Sequence, residues 1–107
     1  MKKLFEILVP TRYGDMPDRP IRTKHHKEWD KFIRKISGEL TLLTPAKGQW
    51  IFESETFEEK VIPVRIFCSE ADMKRIVNFS LDHYRQKAIM YYVVSNECFI
   101  IEKEKLK

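Results

Sequence analysis

The order of β-like and helix-like segments is the sequence feature that most constrains this fold. An apolar run, Leu4 to Val9, reads as the first strand. A helix follows after the candidate cap Thr23, with apolar residues at i, i+3, i+4 and i+7, and Gly38 is placed to end it. β-rich segments come next, and Ser69 with Asp72 forms a capping box that opens a second helix. Two more short β-like runs follow.

This order predicts an α+β fold of the ferredoxin-like type, a split β-α-β arrangement with an antiparallel sheet and two helices on one face. The late runs Ala88 to Val94 and Cys98 to Ile101 predict an extra C-terminal hairpin strand. A length of 107 residues fits a single domain, 1–107. The chain is 43% hydrophobic and 34% charged, which is typical of a folded soluble protein and not of a disordered one.

The middle of the sheet allows two interpretations. Leu40 to Thr44 and Gln49 to Glu53 are both rich in β-formers and flank the turn-like Pro45 to Gly48. They form either a hairpin or one long bent strand. The next strand is predicted at Val61 to Cys68, where Pro63 removes one ladder donor and favours an edge position or a bulge.

Part of this region also carries a resemblance. The segment GELTLLTPAKGQW and the later HYRQKAIMYYV contain a Gly-x-Leu-Thr, a Gly-Gln-Trp and a Tyr-x-Gln pattern. Over about Gly38 to Val94 they resemble a family of small uncharacterised bacterial proteins with this architecture. The resemblance implies the fold and transfers no activity, cofactor or site residue.

The start of the first helix is unusually basic. Its first turn holds Lys24, His25, His26 and Lys27, where Asp or Glu is the usual choice. Because a helix N-terminus attracts anions, the sequence predicts a phosphate, sulfate or carboxylate site, with contacts from Arg22, Lys24, His25 and His26. Alternatively, nearby carboxylates neutralise the cluster and leave an ordinary solvated helix start; they are Asp15, Asp18, Glu28 and Asp30.

No motif for a cofactor or for catalysis stands in the sequence. The three histidines, His25, His26 and His83, lack zinc-ligand spacing, so no metal is expected, and no glycine-rich phosphate loop or nucleophile motif is present. Four residues remain candidates for lining a pocket: Trp50, His83, Tyr84 and Gln86. For two of them packing is the favoured interpretation, with Tyr84 closing the core stripe of the second helix and Trp50 anchoring the core or an interface.

The strand pattern favours self-association. Alternate residues give one sheet face enough apolar groups to receive both helices: Phe5, Ile7, Val9, Ile62, Val64, Ile66 and Cys68. The opposite face also carries apolar residues, Leu4, Leu8, Val61 and Phe67, mixed with Glu6 and Arg65. Because monomers rarely expose such a patch, we expect a homodimer, joined face to face or edge to edge.

Three functions remain open. The first is a small dimeric binding or regulatory protein of unidentified ligand. The second is a dimeric α/β-barrel type enzyme with a pocket gated by the Thr11 to Arg22 loop and a histidine as acid or base. The third is a nucleic-acid-binding protein, although no strand carries the RNA-recognition signature. Basic residues follow one side of the first helix; they are Lys24, Lys27, Lys31 and either Arg34 or Lys35.

The start of the chain and its thiols give an expected location. The opening MKKLFEILVP contains Glu6 and stops at Pro10, too short for a secretory core or a membrane span. Cys68 and Cys98 are expected to be buried, reduced thiols. A cytoplasmic location is therefore the expectation, without a membrane partner.

Overall fold

Two helices pack on one face of a five-stranded antiparallel sheet in the computed structural model, which describes residues 1–103 apart from the side chains of Trp50 and Phe52. The strands are β1 (Lys2–Pro10), β2 (Thr41–Leu42), β3 (Ala46–Phe52), β4 (Glu55–Ser69) and β5 (Tyr91–Ser95), and the helices are α1 (Thr23–Ser37) and α2 (Glu70–His83). The sheet order is β2-β4-β1-β5, and β3 also pairs with β4. The α+β ferredoxin-like prediction is confirmed.

The core lies between the helices and the inner face of the sheet. Alternation along β1 and β4 directs their apolar residues to this layer, where they meet the apolar stripes of both helices. The fully buried apolar members are Phe5, Ile7, Trp29, Ile33, Val64, Ile66, Cys68, Met73, Ile76 and Tyr84. The sequence pattern identifies this face correctly because its alternation is regular.

The segment between α1 and β4 is one long strand with a break. β2 and β3 both pair antiparallel with β4, and the register shifts by one residue between Leu42↔Val64 and Ala46↔Val61. The turn of the hairpin lies at Glu53 and Ser54, both with positive φ. The bent-strand interpretation is therefore right, and the turn expected at Pro45 to Gly48 is wrong.

One expectation about strands is confirmed in part and another fails. Pro63 lies inside the sheet, opposite Leu8 of β1, and its carbonyl accepts from the Leu43 N–H at 2.9 Å. It faces the break between β2 and β3, where the register shifts by one residue, so the edge position is wrong and the bulge is confirmed. Residues 98–101 form no strand, so the second half of the C-terminal hairpin is absent from the described residues.

The helix ends follow the sequence signals with one exception. Gly38 ends α1 in the left-handed conformation at φ 83°, and the Ser69 hydroxyl accepts from the Asp72 N–H at the start of α2. At the start of α1, however, the cap residue is Arg22, without a side-chain cap, and Thr23 is already helical.

Among residues 1–103, no helix is long and apolar enough to span a membrane.

Candidate functional site

The three histidines meet in one cluster where α1 begins and α2 ends. His25 contacts the Tyr13 hydroxyl through Nδ1, and His26 Nδ1 lies 2.9 Å from the Tyr84 hydroxyl. His83, the last residue of α2, donates from Nε2 to the carbonyl of His25 at 2.7 Å. We call these five residues the His–Tyr cluster. It ties together the loop before α1 and both helices.

Burial favours the neutral forms of His26 and Tyr84. It lowers the pKa of His26, which His83 and His25 lower further and Asp30 opposes. Burial likewise raises the pKa of Asp30, and burial together with the Asp30 charge raises the pKa of Tyr84. The contact between His26 and Tyr84 is therefore a hydrogen bond between uncharged side chains.

The loop of residues 11–22 is closed onto the body of the protein. Its Tyr13 is 6% exposed and its Ile21 8% exposed, so both belong to the core. The Gly14 N–H donates to the Tyr84 carbonyl at 3.4 Å, and the Gln86 amide donates to the Arg12 carbonyl at 2.9 Å. This loop covers the His–Tyr cluster through contacts with Tyr84 and Gln86.

The predicted anion contacts are consequently split between two environments. Arg22 and Lys24 are exposed, whereas His25 and His26 are half-buried against tyrosines. The exposed side of the helix start forms a shallow depression of about 460 Å³ lined by lysines, one threonine and one glutamate: Thr23, Lys24, Lys27, Glu28 and Lys31. The cationic surface is thus made of lysines, without the histidines.

A larger groove lies on the sheet face opposite the helices, which we call the open face. The face includes Leu8 and Pro10 of β1 and Glu59 and Val61 of β4, because directly paired residues point to the same side. The groove measures about 750 Å³, within the range of ligand pockets. Its lining residues are Leu8, Pro10, Gly48, Gln49, Glu59, Val61, Gln86, Ala88, Ile89 and Met90.

Of the four pocket candidates from the sequence, Gln86 lines this groove. His83 and Tyr84 lie in the His–Tyr cluster instead, and the side chain of Trp50 lies outside the described residues. Sequence analysis misses Glu59 because the predicted strand begins at Val61. If the predicted strand is extended by two residues, the alternation of side chains places Glu59 on the same face as Val61.

The middle of the open face holds a buried acidic residue. Glu6, 6% exposed, accepts from Arg65 Nε at 3.0 Å and also from the Tyr92 hydroxyl. The sequence pattern places Glu6 and Arg65 on this face correctly. The register of β5 places Tyr92 beside Glu6 and turns Tyr91 and Val93 to the other side of the sheet.

The exposed apolar side chains lie chiefly along β5 and beyond it. Tyr92 and Val93 are each 44% exposed, and Phe99 is 78% exposed. β5 pairs with β1 on one side and has no second neighbour within the described part of the chain.

Of the two cysteines, Cys68 is buried as expected and Cys98 is half-buried.

No metal centre is formed by the described residues, since nowhere among them do three His, Cys, Asp or Glu side chains come close enough to hold an ion. In the His–Tyr cluster, each histidine uses one ring nitrogen for an internal contact.

Comparison with solved structures shows the fold alone. No family model and no curated protein matches the chain. The structure is similar to a divalent cation tolerance protein, CutA1 of Thermus thermophilus, with TM-score 0.67 and 8% identity over 97% of this chain and 90% of that one. It is also similar to the periplasmic divalent cation tolerance protein CutA of Archaeoglobus fulgidus, with TM-score 0.67 and 10% identity over 97% of this chain and 90% of that one.

A third similar structure is described as a PII-like protein, CutA of Nostoc sp. PCC 7120, with TM-score 0.59 and 12% identity over 87% of this chain and 79% of that one. The resemblance to a small family with a ferredoxin-like fold therefore holds at the level of fold. The description "uncharacterised" does not fit these neighbours, which carry functional names.

Proposed function

We propose that this chain is a small binding or regulatory protein that takes a small ligand in the groove of the open face. The observation that carries the proposal is the groove itself, whose apolar lining is interrupted by a few polar side chains, the usual pattern of a ligand site. The functional names of the structurally similar proteins, cation tolerance and PII-like, support a binding role more than a catalytic one.

The experiment that tests the groove is a fragment screen followed by protein NMR. We expect chemical-shift changes for bound fragments to centre on residues such as Leu8 and Ile89. Gly48→Leu places a side chain into the groove and removes these changes, while Lys47→Leu, its neighbour facing the other side of β3, keeps them. Fragments that bind elsewhere, or that bind Gly48→Leu unchanged, contradict the proposal.

The enzyme alternative receives less support from the geometry. A loop-gated pocket requires a cavity that a histidine enters, yet neither of the two described cavities is lined by a histidine. The nucleic-acid alternative rests on the exposed basic side of α1. Glu6 and Glu59 on the open face disfavour a phosphate backbone there.

We also propose that the protein forms a homodimer through the edge of β5. The strand YYVVS carries no proline and no charge, which are the devices that usually protect a sheet edge. A second copy related by a twofold axis would pair β5 antiparallel with its own equivalent and cover exposed apolar side chains there.

The free thiols of Cys68 and Cys98 support a reducing, cytoplasmic location.

An anion site at the start of α1 is a second candidate function. The helix start has no side-chain cap and no acidic residue in its first turn, so its N–H groups and the adjacent lysines face the same solvent. In this form of the proposal Arg22 and Lys24 contact the anion. His25 and His26 support the helix start from inside, through the tyrosines.

A further inference from the structure

The polar character of the groove is acidic, in contrast to the basic start of α1. Of the described residues that line it, Glu59 is the one with an ionisable side chain. The rest of the lining is mostly apolar and includes Leu8, Val61, Ile89 and Met90. A ligand that fills this groove therefore meets a hydrocarbon surface and one carboxylate.

Glu59 has the properties of an unused binding group. It is half-buried, and among the described residues its carboxylate has no hydrogen-bond or ion-pair partner. Burial raises the pKa of this carboxyl, which shows that its charge lies where water solvates it poorly. Its neighbour Glu58, by contrast, is exposed and accepts from the Gln49 amide at 2.6 Å.

Gln86 offers a second acceptor in the lining of the groove. Its amide nitrogen is already held by the carbonyls of Arg12 and Tyr84, at 2.9 and 3.1 Å. The side-chain oxygen is then the atom of Gln86 that can engage a ligand. Glu59 and Gln86 therefore accept hydrogen bonds, and a ligand that engages both must donate them.

We propose that the groove takes a small molecule with an apolar body and a protonated amine. The ammonium group pairs with the Glu59 carboxylate, and the apolar body lies against Leu8 and Val61. This inference rests on the proposed function, because it names the class of ligand for the same groove.

The test compares three probes that share an apolar body and differ in charge: phenethylammonium, 2-phenylethanol and 3-phenylpropanoate. Each is titrated into the full chain at millimolar concentration and followed by amide chemical shifts. We expect phenethylammonium to bind about fivefold more tightly than the alcohol, as one partly exposed ion pair contributes, and the carboxylate to bind most weakly. The shifts should centre on the groove.

Two variants separate the charge from the shape. Glu59→Gln keeps the volume of the side chain and should reduce the affinity for phenethylammonium to that for the alcohol. Glu58→Gln removes a charge from the neighbouring residue, whose side chain lies on the other side of β4. This variant should still bind phenethylammonium more tightly than the alcohol. Retention of the wild-type spectrum outside the groove checks that both variants fold.

The outcomes distinguish the two levels of the proposal. If the alcohol or the carboxylate binds in the groove as tightly as the ammonium, or if Glu59→Gln keeps the full preference, the amine inference is overturned and the groove remains a binding site. If none of the three probes shifts groove residues of the wild-type protein, the inference and the proposed function fail together.

Discussion

At the scale of single residues, His26 acts through a neutral contact. His26 shares a hydrogen bond with Tyr84, which is fully buried and 6.3 Å from the ring of Trp29. Trp29 in turn donates from Nε1 to Ser80 at 2.7 Å. Two hydrogen bonds joined by a ring contact thus lead from the helix start into the core, and each buried polar group among them has a partner.

This arrangement predicts a loss of stability in acid through His26. Its pKa in the folded protein lies below the ordinary value of 6.5, so the unfolded chain binds a proton more readily. The contribution of His26 to the free energy of unfolding is therefore complete above about pH 6.5 and decreases as the pH falls below it. Urea denaturation between pH 8 and 5 measures the slope.

Two variants isolate that slope. His26→Gln stays uncharged at every pH and should flatten the pH dependence, whereas Lys27→Gln, at the exposed neighbouring position, should leave it unchanged. Equal slopes for the wild-type protein and His26→Gln would show that other groups cause the acid sensitivity.

At the scale of elements, the loop of residues 11–22 depends on one close backbone approach. A Cβ atom added to Gly14 would collide with the Arg85 carbonyl oxygen and lie 3.1 Å from the carbonyl carbon, and Arg85 itself has a left-handed φ of 52°. The backbones of the loop and of the turn after α2 therefore fit together only without a side chain at this position. Asp15 and Arg85, 3.5 Å apart, add an exposed ion pair.

Gly14→Ala should therefore release the loop from the turn after α2. We expect a loss of roughly 1–3 kcal/mol in the free energy of unfolding, since the backbone has to move and buried contacts of Tyr13 weaken. Gly48→Ala is the matched control, because its added Cβ meets its nearest atom at an ordinary 3.7 Å. Similar losses in the two variants would contradict a close fit specific to Gly14.

The start of α1 gives a prediction about salts. Phosphate and sulfate should raise the melting temperature more than chloride at equal ionic strength, because they bind the uncapped helix start and its lysines. Arg22→Ala combined with Lys24→Ala should remove the difference. Lys74→Ala combined with Lys87→Ala changes the charge equally at exposed positions outside α1 and should keep the difference between the salts.

The elements also show what a sequence can and cannot reveal here. Both helices follow from 3.6-residue periodicity, and Gly38 marks the end of α1 because only its backbone adopts the required φ easily. The turn at Glu53 and Ser54 carries no such signal, since neither residue is a usual choice for positive φ. The contact of His83 with His25 joins residues 58 positions apart, and no local pattern encodes it.

At the scale of the whole molecule, the basic surface, the acidic residues and the unpaired edge of β5 lie on different parts of the fold. The basic residues line α1 on the helix side, while Glu6 and Glu59 mark the open face. β5 forms one border of the sheet and β2 with β3 the other. Self-association through β5 therefore involves a different part of the molecule from the helix start, whereas the groove borders β5 through Met90.

The homodimer proposal predicts a molar mass twice that of the 12.9 kDa chain in light scattering at tens of micromolar. Val94→Lys should shift the mass toward one chain, because a lysine on the strand opposes edge pairing. Leu42→Lys, a comparable change at an exposed position of β2 on the opposite border, should leave the dimer intact. A monomeric wild-type protein would refute this proposal.

The length of β4 has a consequence for motion. Its later residues are hydrogen-bonded to β1 on one side and β2 on the other, but from Glu55 to Lys60 the strand has β3 as its partner within the described residues. A two-stranded ribbon is only marginally stable by itself, so this part should open in local fluctuations that leave the core closed. Its amide protons should exchange with solvent faster than those of Val64 and Ile66. Glu59 lies on this ribbon, so the wall of the groove can adjust to its occupant without unfolding the protein.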